Sequence, residues 1–146
     1  MFNFHSTASL IFGNETAVNS SDQIVNLLGK NIFVITDEGL TELGLYEKTI
    51  KKLQSYSNIN IFNKVESDPS KSTLLKAFEE AKDFKSTGVL GFGGGSSMDV
   101  AKLISLLLGS NQNIDTIWGV NNAKGPWTFC IINPPYRIDI LIRPKK

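Results

Sequence analysis

The 146-residue sequence holds one cysteine and one histidine. Cys130, alone, excludes an intrachain disulfide and a cysteine zinc site, and its apolar surroundings (FCII, residues 129–132) argue against a nucleophile. His5 has no Asp, Glu or second His at ligand spacing, so it reads as a surface residue, and chemistry that needs two histidines is excluded. No apolar run approaches the roughly 20 residues that cross a bilayer. The start, MFNFHST, lacks a basic stretch and a long apolar core, so no signal peptide is expected and the expected location is cytoplasmic. Neither sign of charge dominates: fifteen Lys and Arg face fourteen Asp and Glu, a net +1, which leaves no electrostatic footprint for nucleic acid. Residues 137–146 are a local exception, with Arg137, Arg143, Lys145 and Lys146 against Asp139, the composition of a solvated end.

What is present fits one globular domain: 41% hydrophobic and 20% charged residues. Residues 6–13 (STASLIFG) read as a short strand closed by glycine. Asn19, Ser20, Ser21 and Asp22 offer cap oxygens to a helix with Ile24, Val25, Leu27 and Leu28 on one face, stopped by Gly29. IFVIT (32–36) is a continuous β-branched run, the pattern of a strand buried on both faces. Residues 41–56 carry Leu43, Leu45, Tyr46, Ile50 and Leu53 at roughly helical spacing, with Lys48, Lys51 and Lys52 outward. A strand is expected over 59–65. Asp68-Pro69-Ser70 then opens a helix with Leu74, Leu75, Ala77, Phe78, Ala81 and Phe84 as its buried stripe. The apolar strand 89–92 runs into glycines, and the nearly all-apolar helix 98–108 reads as central core.

Strand and helix alternating at this rhythm predict an α/β fold, a Rossmann-like parallel sheet with helices on both faces. Ligands of such sheets bind at the carboxyl ends of strands, which puts Asp37, Asp68 and the turn 93–97 on one rim.

The turn itself reads Gly91-Phe92-Gly93-Gly94-Gly95-Ser96-Ser97. It misses the last glycine of G-x-G-x-x-G, and no G-K-[ST] follows it. Two readings stand. Glycines without Cβ let backbone N–H groups reach an anion at the positive end of the next helix, or the turn is only a tight corner with Ser96 or Ser97 as cap and Asp99 as its capping-box partner. Asp37, directly after IFVIT, has the chemistry to accept both hydroxyls of a dinucleotide ribose and to repel a 2′-phosphate. It precedes the glycine turn by more than fifty residues, whereas the usual order puts the acid about twenty after. Alternatively Asp37 simply starts the next helix.

The stretch GVLGFGGGSSMDVAK closely resembles the signature of the iron-containing (group III) alcohol dehydrogenases, whose N-terminal domains carry GGGSxxDxAK after a buried strand. VITDEGL, VESDPS and the opening strand ending in IFG are similar to the same family, and the likeness covers residues 5–126. Glycerol dehydrogenases and dehydroquinate synthases share the architecture, but the form SSMDVAK favours the alcohol dehydrogenases. The resemblance implies a dehydroquinate synthase-like N-terminal domain and a small-alcohol oxidoreductase dependent on NAD, with NADP left open. It implies Asp37 at the adenosine ribose, Asp68 near the nucleotide, and Gly94, Gly95, Ser96 and Ser97 as pyrophosphate cradle. Asp99 would organise the loop or face the cofactor, and Lys102 would be structural or face the active site.

After Gly125-Pro126 the family pattern GPxxPLIxxPTTAGTGSE stops: the chain reads WTFCIINPPYRIDILIRPKK. The family's helical second domain, which holds iron or zinc through an aspartate and three histidines, has no counterpart in these residues. Residues 1–126 are therefore expected to form the nucleotide-binding domain and 127–146 an atypical tail, foreign or frame-shifted. No catalytic residue is expected here, and the fragment alone is expected to be inactive. The expected partner is a nicotinamide dinucleotide, with self-association open and no membrane or nucleic acid. A non-catalytic nucleotide-binding module, or a fragment without function, stands as the alternative.

Overall fold

The computed structural model describes residues 11–110, 112–119, 122–125, 129–133 and 138–140. His5, residues 126–128 and the basic groups Arg137, Arg143, Lys145 and Lys146 lie outside them. The elements run β1 (Ile11–Phe12), α1 (Thr16–Asn19), α2 (Ser21–Leu28), β2 (Asn31–Ile35), α3 (Glu38–Glu42), α4 (Glu47–Gln54) and β3 (Asn58–Phe62). They continue through α5 (Lys71–Asp83), β4 (Gly88–Phe92), α6 (Gly95–Gly109), a 3₁₀ turn at Ile114–Thr116, β5 (Phe129–Asn133) and β6 (Ile138–Ile140).

One six-stranded sheet has the order β1-β6-β5-β4-β2-β3. β3, β2, β4 and β5 are parallel, as expected, while β6 and β1 join antiparallel, so the sheet is mixed. Only residues 134–137 separate β5 from β6, too few for the crossover that a parallel neighbour needs. Residues 129–133, assigned to the tail from sequence, pair as β5 with β4, Val89 opposite Phe129 through Phe92 opposite Ile132.

Side chains alternate across the sheet, and both faces are covered. Phe33, Ile35 and Val89 pack with α5 and α6 through Leu74, Ala77, Val100 and Ile104. Ile32, Val34, Leu90 and Phe92 pack on the other side with α2 and α4 through Ile24, Leu28, Ile50 and Leu53. Neither strand offers a solvent face to a polar residue, which is why both read as unbroken apolar runs. β2 steps to β3 with α4 on one face, and β3 returns past β2 to β4 with α5 on the other. The direction of winding therefore reverses between β2 and β4, and their carboxyl ends flank the crevice where such sheets take ligands.

Two glycines set the spacing of these layers. A Cβ on Gly91 would stand 2.9 Å from the Ala101 Cβ, so α6 lies directly on β4. A Cβ on Gly88 would stand 2.6 Å from both the Cα and the carbonyl oxygen of Leu28.

The single helix expected over residues 41–56 is two. Gly44, at φ 64°, ends α3 in a left-handed cap: its N–H donates to Thr41 O at 3.1 Å and that of Leu45 to Leu40 O at 3.3 Å. Leu43 and Leu45 flank this turn and are exposed at 71% and 49%, not on the buried stripe. Leu75, expected in the stripe of α5, is likewise exposed, whereas Leu74, Ala77 and Ala81 are buried. No helix among the described residues is long and apolar enough to cross a membrane.

Because the atoms facing Gly88 are backbone and cannot rotate away, Gly88→Ala is expected to destabilise the fold by about 2 kcal/mol. Urea unfolding followed by circular dichroism measures it.

Candidate functional site

The crevice is built from the ends of β2 and β4. Immediately after β2, Thr36 ties across to β3: its N–H donates to Phe62 O at 2.9 Å, and its carbonyl accepts from Val65 N at 3.3 Å. Its hydroxyl is buried and, among the described residues, has no hydrogen-bond partner. Asp37 follows, half-buried, with an extended backbone, and caps α3 by accepting the Leu40 N–H on Oδ1 at 2.9 Å. The helix-start reading of Asp37 is thus what the geometry displays. One carboxylate oxygen is engaged by the cap.

After β4 the chain turns through Gly93, whose φ of 151° disfavours any side chain and whose N–H donates to Ile132 O at 2.8 Å. Gly94 is the N-cap of α6 and supplies no side-chain cap. The helix starts at Gly95, earlier than expected, so Ser96 and Ser97 sit in its first turn and neither caps it. The ladder opens with Met98 N donating to Gly94 O at 3.0 Å, which leaves the N–H groups of Gly95, Ser96 and Ser97 outside it. Asp99 makes no capping box. It is exposed and pairs with Lys102 at 2.9 Å on the helix surface.

Gly94 and Gly95 need their missing side chains for no internal reason. Both are exposed, neither has positive φ, and a Cβ on either would meet nothing within 4 Å. Bare backbone at the positive end of a fifteen-residue helix has the chemistry to cradle an anion, in space that a Cβ would take up. Ser97 is buried under the turn, where its Oγ would stand 2.8 Å from a Cβ on Gly93, so its contribution to the cradle is the backbone N–H.

Asp68 stands exposed in the loop after β3, at φ 58°, one strand further out along the same rim. The cap of α5 comes from Ser70, whose hydroxyl accepts from Thr73 N at 3.2 Å. Glu66, unremarked in the sequence, supports this turn: Oε1 accepts from Ser70 N at 2.9 Å and from the Thr73 hydroxyl at 2.6 Å. Those bonds to the charged form, the Ser70 N–H foremost, hold its carboxyl down from 4.5 to about 2. Between the starts of α5 and α6 lies a small apolar groove lined by Pro69, Leu74, Val100, Leu103, Ile114 and Trp118, with Asp99 at its edge. Lys71 closes one side by pairing with Asp115 at 2.5 Å.

These features form the candidate site: an acid at the end of one strand, a glycine turn at the end of its neighbour, and the topological reversal between them. The sequence pattern described as iron-containing alcohol dehydrogenase matches residues 7–133, and the chain belongs to that family. It is 28% identical over 135 residues to a sulfoacetaldehyde reductase from Bilophila wadsworthia, covering 91% of this chain and 35% of the relative. A solved 1,3-propanediol oxidoreductase superposes with a TM-score of 0.84 at 22% identity over 91% of this chain and 35% of its own. A sulfoacetaldehyde reductase from Bifidobacterium kashiwanohense, solved in complex with NAD+, superposes with a TM-score of 0.72 at 21% identity, over 91% of this chain and 35% of its own. The chain spans about a third of the length of the curated relatives it matches. Among the described residues no three of His, Cys, Asp and Glu gather to hold an ion.

The Glu66 carboxyl titrates lower in the folded chain than in the unfolded one. Its stabilisation is therefore complete above about pH 4.5 and is lost as pH falls toward 2. Glu66→Gln is expected to melt below the parent chain at pH 6, with the gap closing by pH 2, in melting curves recorded across that range.

Proposed function

We propose that this chain is the nicotinamide dinucleotide-binding half of an iron-containing alcohol dehydrogenase-type oxidoreductase acting on small alcohols and aldehydes. The observation that carries the reading is the pair of glycines, Gly94 and Gly95, whose missing side chains neither backbone conformation nor packing requires. The family membership and the relative solved with NAD+ support it.

In this reading the N–H groups of Gly95, Ser96 and Ser97 hold the pyrophosphate, and the positive end of α6 balances its charge. The free oxygen of Asp37 accepts from the adenosine ribose, and its charge repels a 2′-phosphate, which favours NAD over NADP. Asp68 borders the same rim further out. Asp99, on the second turn of α6 with its charge partnered by Lys102, stands on the cofactor side. The bound cofactor supplies hydride exchange with a carbonyl carbon; the residues of this chain bind and orient it.

Two substitutions separate this role from folding. Gly95→Ala meets no protein atom and improves helix propensity, so it is expected to melt no lower than the parent chain while weakening NADH about tenfold or more. Asp37→Asn keeps the α3 cap, since Asn caps as well as Asp, and is expected to weaken NADH and narrow its advantage over NADPH. NADH and NADPH fluorescence titrations beside melting curves decide both; unchanged titrations in the two variants would remove the nucleotide assignment.

A further inference from the structure

Leu40 joins the two halves of the crevice. Its backbone N–H is the group that Asp37 Oδ1 accepts, so the carboxylate is fixed relative to this residue. Its side chain, only 9% exposed, runs toward the glycine turn: a Cβ on Gly93 would stand 3.1 Å from Leu40 Cδ1, tighter than ordinary contact. Ser97, on the first turn of α6, crowds the same position, its Cβ 3.0 Å from a Cβ on Gly93. Leu40 and the start of α6 therefore converge on the Cβ position of Gly93. The backbone of Gly93 is also pinned to Ile132. Below, Leu40 belongs to the same apolar cluster as Phe92, Tyr46 and Ile132, so it is not free to drift. Gly39 adds a second constraint from the other side: a Cβ there would stand 3.3 Å from Asp37 Oδ1, so the absent side chain leaves the carboxylate where the cap wants it.

We propose that Leu40 is a positioning residue that sets the distance between the ribose-binding carboxylate of Asp37 and the phosphate-binding turn 93–97. The proposal rests on the nucleotide reading above and deepens it. A ligand that reaches only one half, adenosine or inorganic pyrophosphate, does not sense that distance. A ligand that spans both, such as ADP, gains from having the two halves prepaid in register and loses that gain when the spacer is removed.

The test is an NMR titration of the whole chain with adenosine, inorganic pyrophosphate and ADP. In Leu40→Ala, ADP binding is expected to weaken about tenfold while each half-ligand stays within about twofold of the parent. Leu40→Met, which reaches as far as leucine, is expected to restore ADP binding. Should Leu40→Ala fail to fold, Leu40→Val keeps an apolar side chain but withdraws the Cδ atoms from Gly93, and the same split is expected. A parent chain that binds ADP while the variant weakens all three ligands alike, or none of them, overturns the positioning role and leaves the nucleotide reading standing. A parent chain that binds none of the three overturns both.

Discussion

The contact between β4 and α6 is the constraint on which the rest depends. With glycine at 91 and alanine at 101 the helix lies close enough to the strand that only Gly93 and Gly94 are needed between them. That short link delivers the start of a fifteen-residue helix to the edge of the sheet with its first N–H groups uncommitted. A longer side chain at either position would lift the helix and swing its positive end away from the crevice. The apolar residues that fill both faces, Phe33 and Ile35 on one side and Val34 and Leu90 on the other, then hold the sheet as a rigid plate under that end.

Most of this plate was legible in the amino-acid order. Runs such as IFVIT and GVLGF announce strands covered on both sides, and Gly29 and Ser70 bound helices where they were expected to. Misreadings share a cause: periodicity records which residues are apolar, not which neighbour exists to cover them. Leu43, Leu45 and Leu75 have helical spacing, yet Gly44 turns the chain beside the first two and the third stays exposed. A strand was expected within residues 6–13, but the antiparallel pairing of β1 and β6 was hidden because register and direction depend on connection length, which composition does not reveal.

Of the candidate site, the residue types were legible and the connections between them were not. Asp37 and the glycine turn stood out by residue type. Their link through Leu40 did not, because a leucine one turn into a helix looks like any core residue until the Gly93 contact is seen. The reading of the turn as a corner capped by Ser96 or Ser97 with Asp99 as partner is removed by the helix start at Gly95: with the N-cap on a glycine, the serines enter the first turn and Asp99 pairs with Lys102. Thr36 and Glu66 carry no signature at all. A threonine ending a strand and a glutamate in a loop acquire meaning only from a buried hydroxyl without a partner and from the two donors that converge on one oxygen.

The mixed edge of the sheet also bears on how the chain is made. β1 pairs with β6, Ile11 opposite Asp139 and Phe12 opposite Ile138, so the first strand of the described sheet in chain order joins the last. Everything between them can settle by nearer pairings, β2 with β3 and then β4. The pairing of β1 with β6 spans far more of the chain than these. A contact of such long range is slow to close and raises the relative contact order of an otherwise locally wound domain.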